Sequence, residues 1–486
     1  MFGVPPSCGS HAPPPLRIFP SVFLSFRFPN LPRVLQTCSP TWDTVRITYN
    51  ILFTICFWLA SPYYFLRMLR RGDWQRGFGE RFGKFDARVK QSLSNRHVLW
   101  MHAVSVGEVN ICTQTIRALE PRLPNAKIMV STTTSTGMGE LLKRLPQHVG
   151  KFYYPVDRRK CVSRSVSVVN PDAVILVEAE IWPNFIWRMK DRATPMFLVN
   201  ARLSEKSYRG YKRFGFLFRD LFASFTAVGA QSEADAARWI EVGCRPEAVH
   251  ILGNLKFDVA ATETRRTLNV RGMLQKLGVP DSAKLLVCGS THAGEEFLLA
   301  QMYQRLRKQF PDLFLVLVPR HHERSRDVAR SLRACGVHFV QRSEIGTETH
   351  HAPGSVDCLL VNSTGELRFF YEHASLVFVG KSLTAKGGQN PIEACALGKP
   401  VLFGPNMQNF ADVVRLILEG DGARQVADAA ELEKAIGELL TSPARCEQLG
   451  KNALRVVLNN QGATKRTVDL ILKHLDGQEL YIAGNI

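Results

Sequence analysis

At 486 residues the chain exceeds what one hydrophobic core commonly supports, so two domains with appendages are expected. A hydrophobic content of 45% and a mean hydropathy of −0.07 exclude a disordered chain. A net charge of +19 implies an anionic partner (nucleic acid, phospholipid headgroups or a phosphorylated substrate), and eleven scattered cysteines with no Cys-x-x-Cys and no zinc-like spacing indicate free, mostly buried thiols in a reducing compartment.

Residues 1–42 read as an extension. They are rich in Pro, Ser and Phe, carry Arg17, Arg27 and Arg33, and have no acidic residue before Asp43, which fits either a transit peptide or an upstream mispredicted start. Residues 43–72 read as a membrane-anchoring segment. Ile47 to Leu66 has no charged side chain, enough to span a bilayer core or, given Asn50 and Pro62, to lie half-inserted as an interfacial helix, the plainer alternative being a buried N-terminal helix. Arg67, Arg70 and Arg71 follow, which puts the body of the protein on the cytoplasmic side.

Beyond a basic stretch from Arg76 to Lys90 the chain alternates apolar strand candidates with helical segments. In residues 73–258 the candidates are Val98–Met101, Ile128–Val130, Val174–Val177, Met196–Val199, Phe225–Val228 and Val249–Leu252. A charged connector, 259–284, interrupts the rhythm. It resumes in 285–486 with Leu285–Val287, Leu313–Val318, Phe339–Val340, Leu359–Val361, Leu376–Val379 and Val401–Phe403. The expected fold is α/β, two doubly wound domains facing across a cleft. Neither a Gly-x-Gly-x-x-Gly after the first strand nor a Walker loop is present, which argues against a dinucleotide oxidoreductase or a P-loop ATPase.

The chemistry gathers at strand ends, where parallel sheets bind ligands. Ser105–Glu108, Ser363–Glu366 and Asn390–Glu393 each set a small oxygen-bearing residue three positions before a glutamate, the pattern of a capping box. Glu108 then faces the cleft. Val177 is followed by Glu178 and Glu180, which share a face if extension continues. Two close carboxylates raise at least one pKa, useful for proton work, whereas a cap or an ion pair is the plainer reading. Lys256, in Gly253–Asn254–Leu255–Lys256–Phe257–Asp258, enters the crevice as a cation for phosphate or carboxylate.

In the second half, Gly289–Ser290–Thr291–His292 is expected to form a flexible anion-binding turn. Pro319 and Arg320 end a strand with a guanidinium suited to phosphate or a base edge. Two further helix starts, at Thr364–Gly365–Glu366 and Asn390–Pro391–Ile392–Glu393, offer N–H groups to phosphate and carboxylates to ribose hydroxyls. Adjacent His321 and His322 point apart on a strand, so no metal site is expected there.

Seven motifs, in order from Trp42 to the C-terminus, resemble those of the 3-deoxy-D-manno-oct-2-ulosonic acid (Kdo) transferases. They are Ser-Val-Gly-Glu, Glu-x-Glu-x-Trp-Pro-Asn, Asn-Ala-Arg-Leu-Ser, Gly-Asn-Leu-Lys-Phe-Asp, Ser-Thr-His-x-Gly-Glu-Glu, Pro-Arg-His-x-Glu-Arg and Asn-Pro-x-Glu. The resemblance implies a GT-B fold of two Rossmann-like domains, an acceptor-binding 73–258 and a CMP-Kdo-binding 285–486, with a membrane-anchoring segment. It implies inverting transfer of Kdo from CMP-Kdo to a lipid A precursor (lipid IVA) in lipopolysaccharide biosynthesis, with no metal or other cofactor and no nucleic acid partner. Glu108 becomes the general base, Glu178 and Lys256 stabilise the transition state, and Pro319, Arg320, Thr364, Gly365, Glu366 and Asn390 through Glu393 bind CMP. The implied location is the cytoplasmic face of the bacterial inner membrane, or mitochondrial if the extension is a transit peptide. Two departures stand out: Gln389, where histidine is common before Asn-Pro-x-Glu, and Lys381, where a second glycine is frequent. The alternative on the same fold is a transferase or epimerase using a UDP-sugar.

Overall fold

The computed structural model describes residues 42–71, 75, 77–93, 96–261 and 268–475. The extension read for residues 1–42 therefore lies, apart from Trp42, outside the described residues. The first domain is built on a parallel sheet of β1 (His97–His102), β2 (Ala126–Thr132), β3 (Gly150–Tyr153), β4 (Ala173–Val177), β5 (Met196–Ala201), β6 (Ala227–Ala230) and β7 (Val249–Ile251), in the order β3-β2-β1-β4-β5-β6-β7. The second repeats the plan with β8 (Lys284–Thr291), β9 (Leu313–Pro319), β10 (Phe339–Gln341), β11 (Cys358–Leu360), β12 (Leu376–Val379), β13 (Val401–Phe403) and β14 (Ala423–Gln425), ordered β10-β11-β9-β8-β12-β13-β14. Each sheet carries a buried apolar layer on both faces, which is why its strands read as apolar runs rather than alternating ones. Strand order reverses between β1 and β4 in one sheet and between β8 and β12 in the other. Those two switch points are where such sheets open a crevice.

Among the described residues, four of the seven non-glycine residues with positive φ lie at the carboxyl ends of strands: Glu178 (62°), Asn200 (52°), Ser290 (55°) and Lys381 (56°). Register shifts accompany two of them, between Leu198 and Ala201 and between Gly289 and Thr291. Backbone strain of this kind costs about 1–3 kcal/mol per residue and persists where surrounding contacts enforce it. The left-handed backbone at Lys381 is one that glycine takes without strain.

Two expectations change. The final helix, Ala463–Leu475, belongs to the first domain rather than to 285–486. Ala463, Val468, Ile471, Leu472 and Leu475 pack with Leu99, Met101 and Val130 of the first sheet. Asp258 caps its start, accepting from the N–H groups of Gly462 (2.7 Å) and Thr464 (2.6 Å). Arg466 Nε donates to the Leu252 carbonyl at 2.9 Å.

The other change concerns the helix Trp42–Arg71. Its first half docks on the first domain through buried Val45, Tyr49 and Phe53. Arg46 forms a two-pronged pair with Asp191 (2.8 and 3.1 Å), and Tyr49 donates to Asp157 at 2.7 Å. Ile47, Ile51, Ile55, Trp58, Leu59 and Tyr63 remain exposed, Leu59 at 74%. Residues 43–66 are long and apolar enough to cross a membrane by length and composition.

Candidate active site

β1 ends at His102, and Ser105 caps the helix Val106–Leu119 by accepting from the Glu108 N–H at 3.2 Å. The Glu108 carboxylate turns back to accept from the Val104 N–H at 2.8 Å and is 6% exposed. The capping pattern is therefore present. Burial, with the charge of Glu178 adding, pushes Glu108 up to about 7 against the hydrogen bonds from Ser105 and Val104.

The acidic end of β4 does not behave as an extended strand. The left-handed Glu178 ends the alternation, so Glu178 and Glu180 part company. Glu178 pairs with Lys256 Nζ at 3.0 Å and accepts a long 3.4 Å hydrogen bond from Asn200 Nδ2. Asn200 also accepts from the Leu255 N–H at 3.0 Å, and its own carbonyl accepts from Gln231 at 2.9 Å. The motif around Asn200 thus fixes Glu178 and the Lys256 turn together, a positioning role that sequence reading missed. Glu180 is buried beside Trp182, whose indole N–H donates to it at 3.2 Å, and burial followed by the charge of Glu108 pushes it up to about 8.

The helix Lys256–Ala261 stands between the domains. It packs against the helix carrying Glu108 and against the helix Ile392–Ala396 that carries Glu393. Lys256 also lies 5.8 Å from the Phe410 ring centroid of the second domain, and Arg202 pairs with Asp412 at 2.6 Å beside it. Arg144, at the end of a first-domain helix, acts on the Glu393 carboxyl together with Arg368 and Arg320, all opposing the upward push of burial. Glu108, Glu178 and Lys256 are therefore one cluster, and Glu393 faces the same cleft from the other side.

The second-domain residues divide. Pro319 closes β9, and exposed Arg320 follows, its backbone N–H held by the Thr291 carbonyl at 3.1 Å. Asn390 accepts from the Ile392 N–H at 3.1 Å, so Asn390, Pro391, Ile392 and Glu393 do open a helix, though one of only five residues. Thr364 and Gly365 are exposed in the turn after β11. Glu366 does not cap as expected: its helix begins at Leu367, and its carboxylate accepts from Ser363 (2.5 Å) and from Arg342 (3.2 and 3.4 Å).

The turn at Gly289–His292 is also not a free anion cradle. A side chain at Gly289 would sit 2.0 Å from the Tyr371 hydroxyl, so the glycine serves packing. The His292 N–H is already taken by Glu295 at 2.8 Å. Buried Glu295 further accepts from the N–H groups of Lys381 (2.7 Å), Ser382 (2.9 Å) and Leu383 (3.0 Å), tying β8 to the loop after β12. Glu296 binds Arg324 in a fork of 2.9 and 3.1 Å. Both glutamates sat in a quoted motif, and their structural work became visible only with the fold. Among the described residues no group of three or more His, Cys, Asp or Glu side chains is arranged to hold a metal ion.

Comparison with known proteins matches both halves of the chain to named families. The family model for 3-deoxy-D-manno-octulosonic-acid transferase (kdotransferase) matches residues 76–259, and that for glycosyl transferases group 1 matches 289–456. The chain is 31% identical over 434 residues to the 3-deoxy-D-manno-octulosonic acid transferase of Haemophilus influenzae, covering 89% of this chain and 99% of that protein. With the Bordetella pertussis protein of the same name, identity is 32% over 435 residues, 86% and 98% of the two chains. In fold it is similar to UDP-GlcNAc 2-epimerase from Neisseria meningitidis (TM-score 0.53, 16% identity, 78% of this chain and 100% of that one). It is equally similar to a glycosyltransferase from Rickettsia africae (TM-score 0.53, 12% identity, 79% and 100%).

Proposed function

The chain belongs to the 3-deoxy-D-manno-octulosonic acid transferase family and is a glycosyltransferase of GT-B-like fold, and from that premise we propose that it moves Kdo from CMP-Kdo to lipid IVA with inversion. One observation carries the mechanism. A carboxylate at the first topological switch point, Glu108, is raised to about 7 and sits on a helix that shares the interdomain helix Lys256–Ala261 with Glu393. A base of that strength, close to working pH, takes the acceptor hydroxyl proton as its oxygen attacks the anomeric carbon. The bond from that carbon to the phosphate oxygen breaks, and CMP leaves with the electron pair. Lys256, bound to Glu178, offers positive charge on the acceptor side. Arg320 and the start of the helix at Asn390–Glu393 offer it on the donor side, where the leaving phosphate gathers negative charge. On this reading no resident metal takes part, so a chelator leaves the rate unchanged.

The acceptor is read as a lipid presented at a membrane surface. The helix Trp42–Arg71 supports this: Val45, Tyr49, Phe53 and Phe57 hold one face of its apolar stretch against the first domain, while Ile47, Ile51, Ile55, Trp58 and Leu59 are exposed along the other, an arrangement that favours interfacial insertion over spanning. Near the helices Glu205–Arg213 and Gly215–Ala223, Phe216 is 61% exposed between Arg213 and Arg219, a basic and aromatic surface suited to anionic headgroups. The proposed location is the cytoplasmic face of a bacterial inner membrane.

Incubating the protein with CMP-Kdo and tetraacyl lipid IVA, with products resolved by mass spectrometry, tests donor and acceptor together. Glu108→Ala is expected to abolish transfer and leave CMP binding nearly intact. Release of UDP from a UDP-sugar, with no CMP from CMP-Kdo, rejects the reading in favour of the UDP-sugar alternative.

A further inference from the structure

The cluster around Glu108 has an unequal charge balance. Lys256 neutralises Glu178 at 3.0 Å, which leaves Glu108 and Glu180 as two carboxyls sharing a water-poor site. Glu180 is 8% exposed and receives the Trp182 indole N–H at 3.2 Å. The groups facing it are Glu108 from the helix after β1, Glu178 from the end of β4, Tyr154 beyond β3 and Tyr211 from the helix Glu205–Arg213. Tyr154 in turn feels Asp157, and its buried hydroxyl has no hydrogen-bond partner among the described residues. No cation acts on Glu180 among these groups, so only the Trp182 N–H opposes the effect of burial on its charged form. Two like charges there cannot both be held, and the pair keeps one proton between them. Burial pushes both upward, but Glu108 has hydrogen bonds from Val104 and Ser105 to favour its charge, whereas Glu180 has only the Trp182 N–H.

We propose that Glu180 is a positioning residue for the transfer reaction, a neutral carboxylic acid that keeps its proton through turnover so that the single negative charge of the pair stays on Glu108. This rests on the reading of Glu108 as the base.

The test uses the full-length protein carrying Glu180→Leu, Glu180→Gln or Glu108→Gln, with kcat and KM for CMP-Kdo measured from pH 5.5 to 9. Binding of CMP and thermal unfolding report on folding. Glu180→Leu removes the polar group and is expected to lower kcat tenfold or more with little change in KM. Glu180→Gln, which imitates the neutral acid, is expected to restore kcat to within about threefold and to leave the acid limb of the profile where it was. The stability sign is separate. A carboxyl raised from 4.5 destabilises the fold increasingly as pH climbs from that value toward about 8. Glu180→Gln should therefore match wild type in unfolding temperature near pH 4.5 and exceed it at pH 9. A folded, CMP-binding Glu180→Gln as inactive as Glu108→Gln, or an acid limb moved down by a unit or more, overturns the proposal by showing that Glu180 works ionised. Full activity in Glu108→Gln instead removes the base assignment on which the proposal stands.

Discussion

Replacing Lys256 by methionine keeps the aliphatic stem and removes the cation 3.0 Å from Glu178. At that separation and an effective dielectric of 20 the attraction is about 5–6 kcal/mol. Desolvation offsets part of it, and breaking one side of a largely buried pair costs about 3 kcal/mol. The uncompensated Glu178 charge then adds to Glu108, which already stands at about 7. A further rise of about one unit lowers its ionised fraction at pH 7 from about a half to about a tenth, a fivefold loss of active base before any loss of direct stabilisation is counted. Initial rates from pH 6 to 9, with unfolding temperature and CMP binding as controls, read the effect. The acid limb should move upward and the deficit should shrink at pH 9. A Lys256→Met protein with the wild-type pH profile refutes the electrostatic coupling between these three side chains.

Other outcomes follow from the same geometry. Asp258→Ala removes two charge-assisted bonds to the start of the last helix and should cost about 2–4 kcal/mol, seen as faster hydrogen exchange across residues 463–475. Gly137→Ala puts a methyl 2.8 Å from the Val104 carbonyl and 2.4 Å from the Thr132 hydroxyl. It should cost about 1–3 kcal/mol and, because Val104 holds Glu108, reduce transfer while sparing CMP binding. Lys381→Gly relieves a φ of 56° and should raise stability by about 0.5–1 kcal/mol in thermal unfolding.

Most of the fold was legible because strands buried on both faces must be apolar throughout, so every apolar run proposed overlaps a strand, the poorest match being Phe225–Val228, whose first two residues precede β6. β3 and β14 escaped for the same reason in reverse. Both are edge strands, and Lys151 or Arg424 and Gln425 break the apolar signal where one side meets solvent. Glu108 and Lys256 were readable as polar residues arriving just after buried runs. The parting of Glu178 from Glu180 was not, since a single left-handed residue cancels the two-residue period and sequence carries no mark of it. Nor did capping grammar separate Glu366, taken by Arg342, from Glu108, which follows it. The return of the last helix was equally hidden, because an amphipathic pattern shows that a face will be covered but not by which sheet.

That return has a consequence for how the molecule is made. A ribosome delivers the acceptor half first, yet the layer over Leu99, Met101 and Val130, begun by the helices Val106–Leu119 and Ser135–Arg144, is completed only when residues 463–475 emerge. Until then the nascent first half carries an incompletely covered apolar face while the whole donor half is being synthesised. Maturation of the catalytic cluster is thereby tied to completion of translation, and prematurely terminated chains should be sticky, chaperone-bound and inactive even when every residue of that cluster is present.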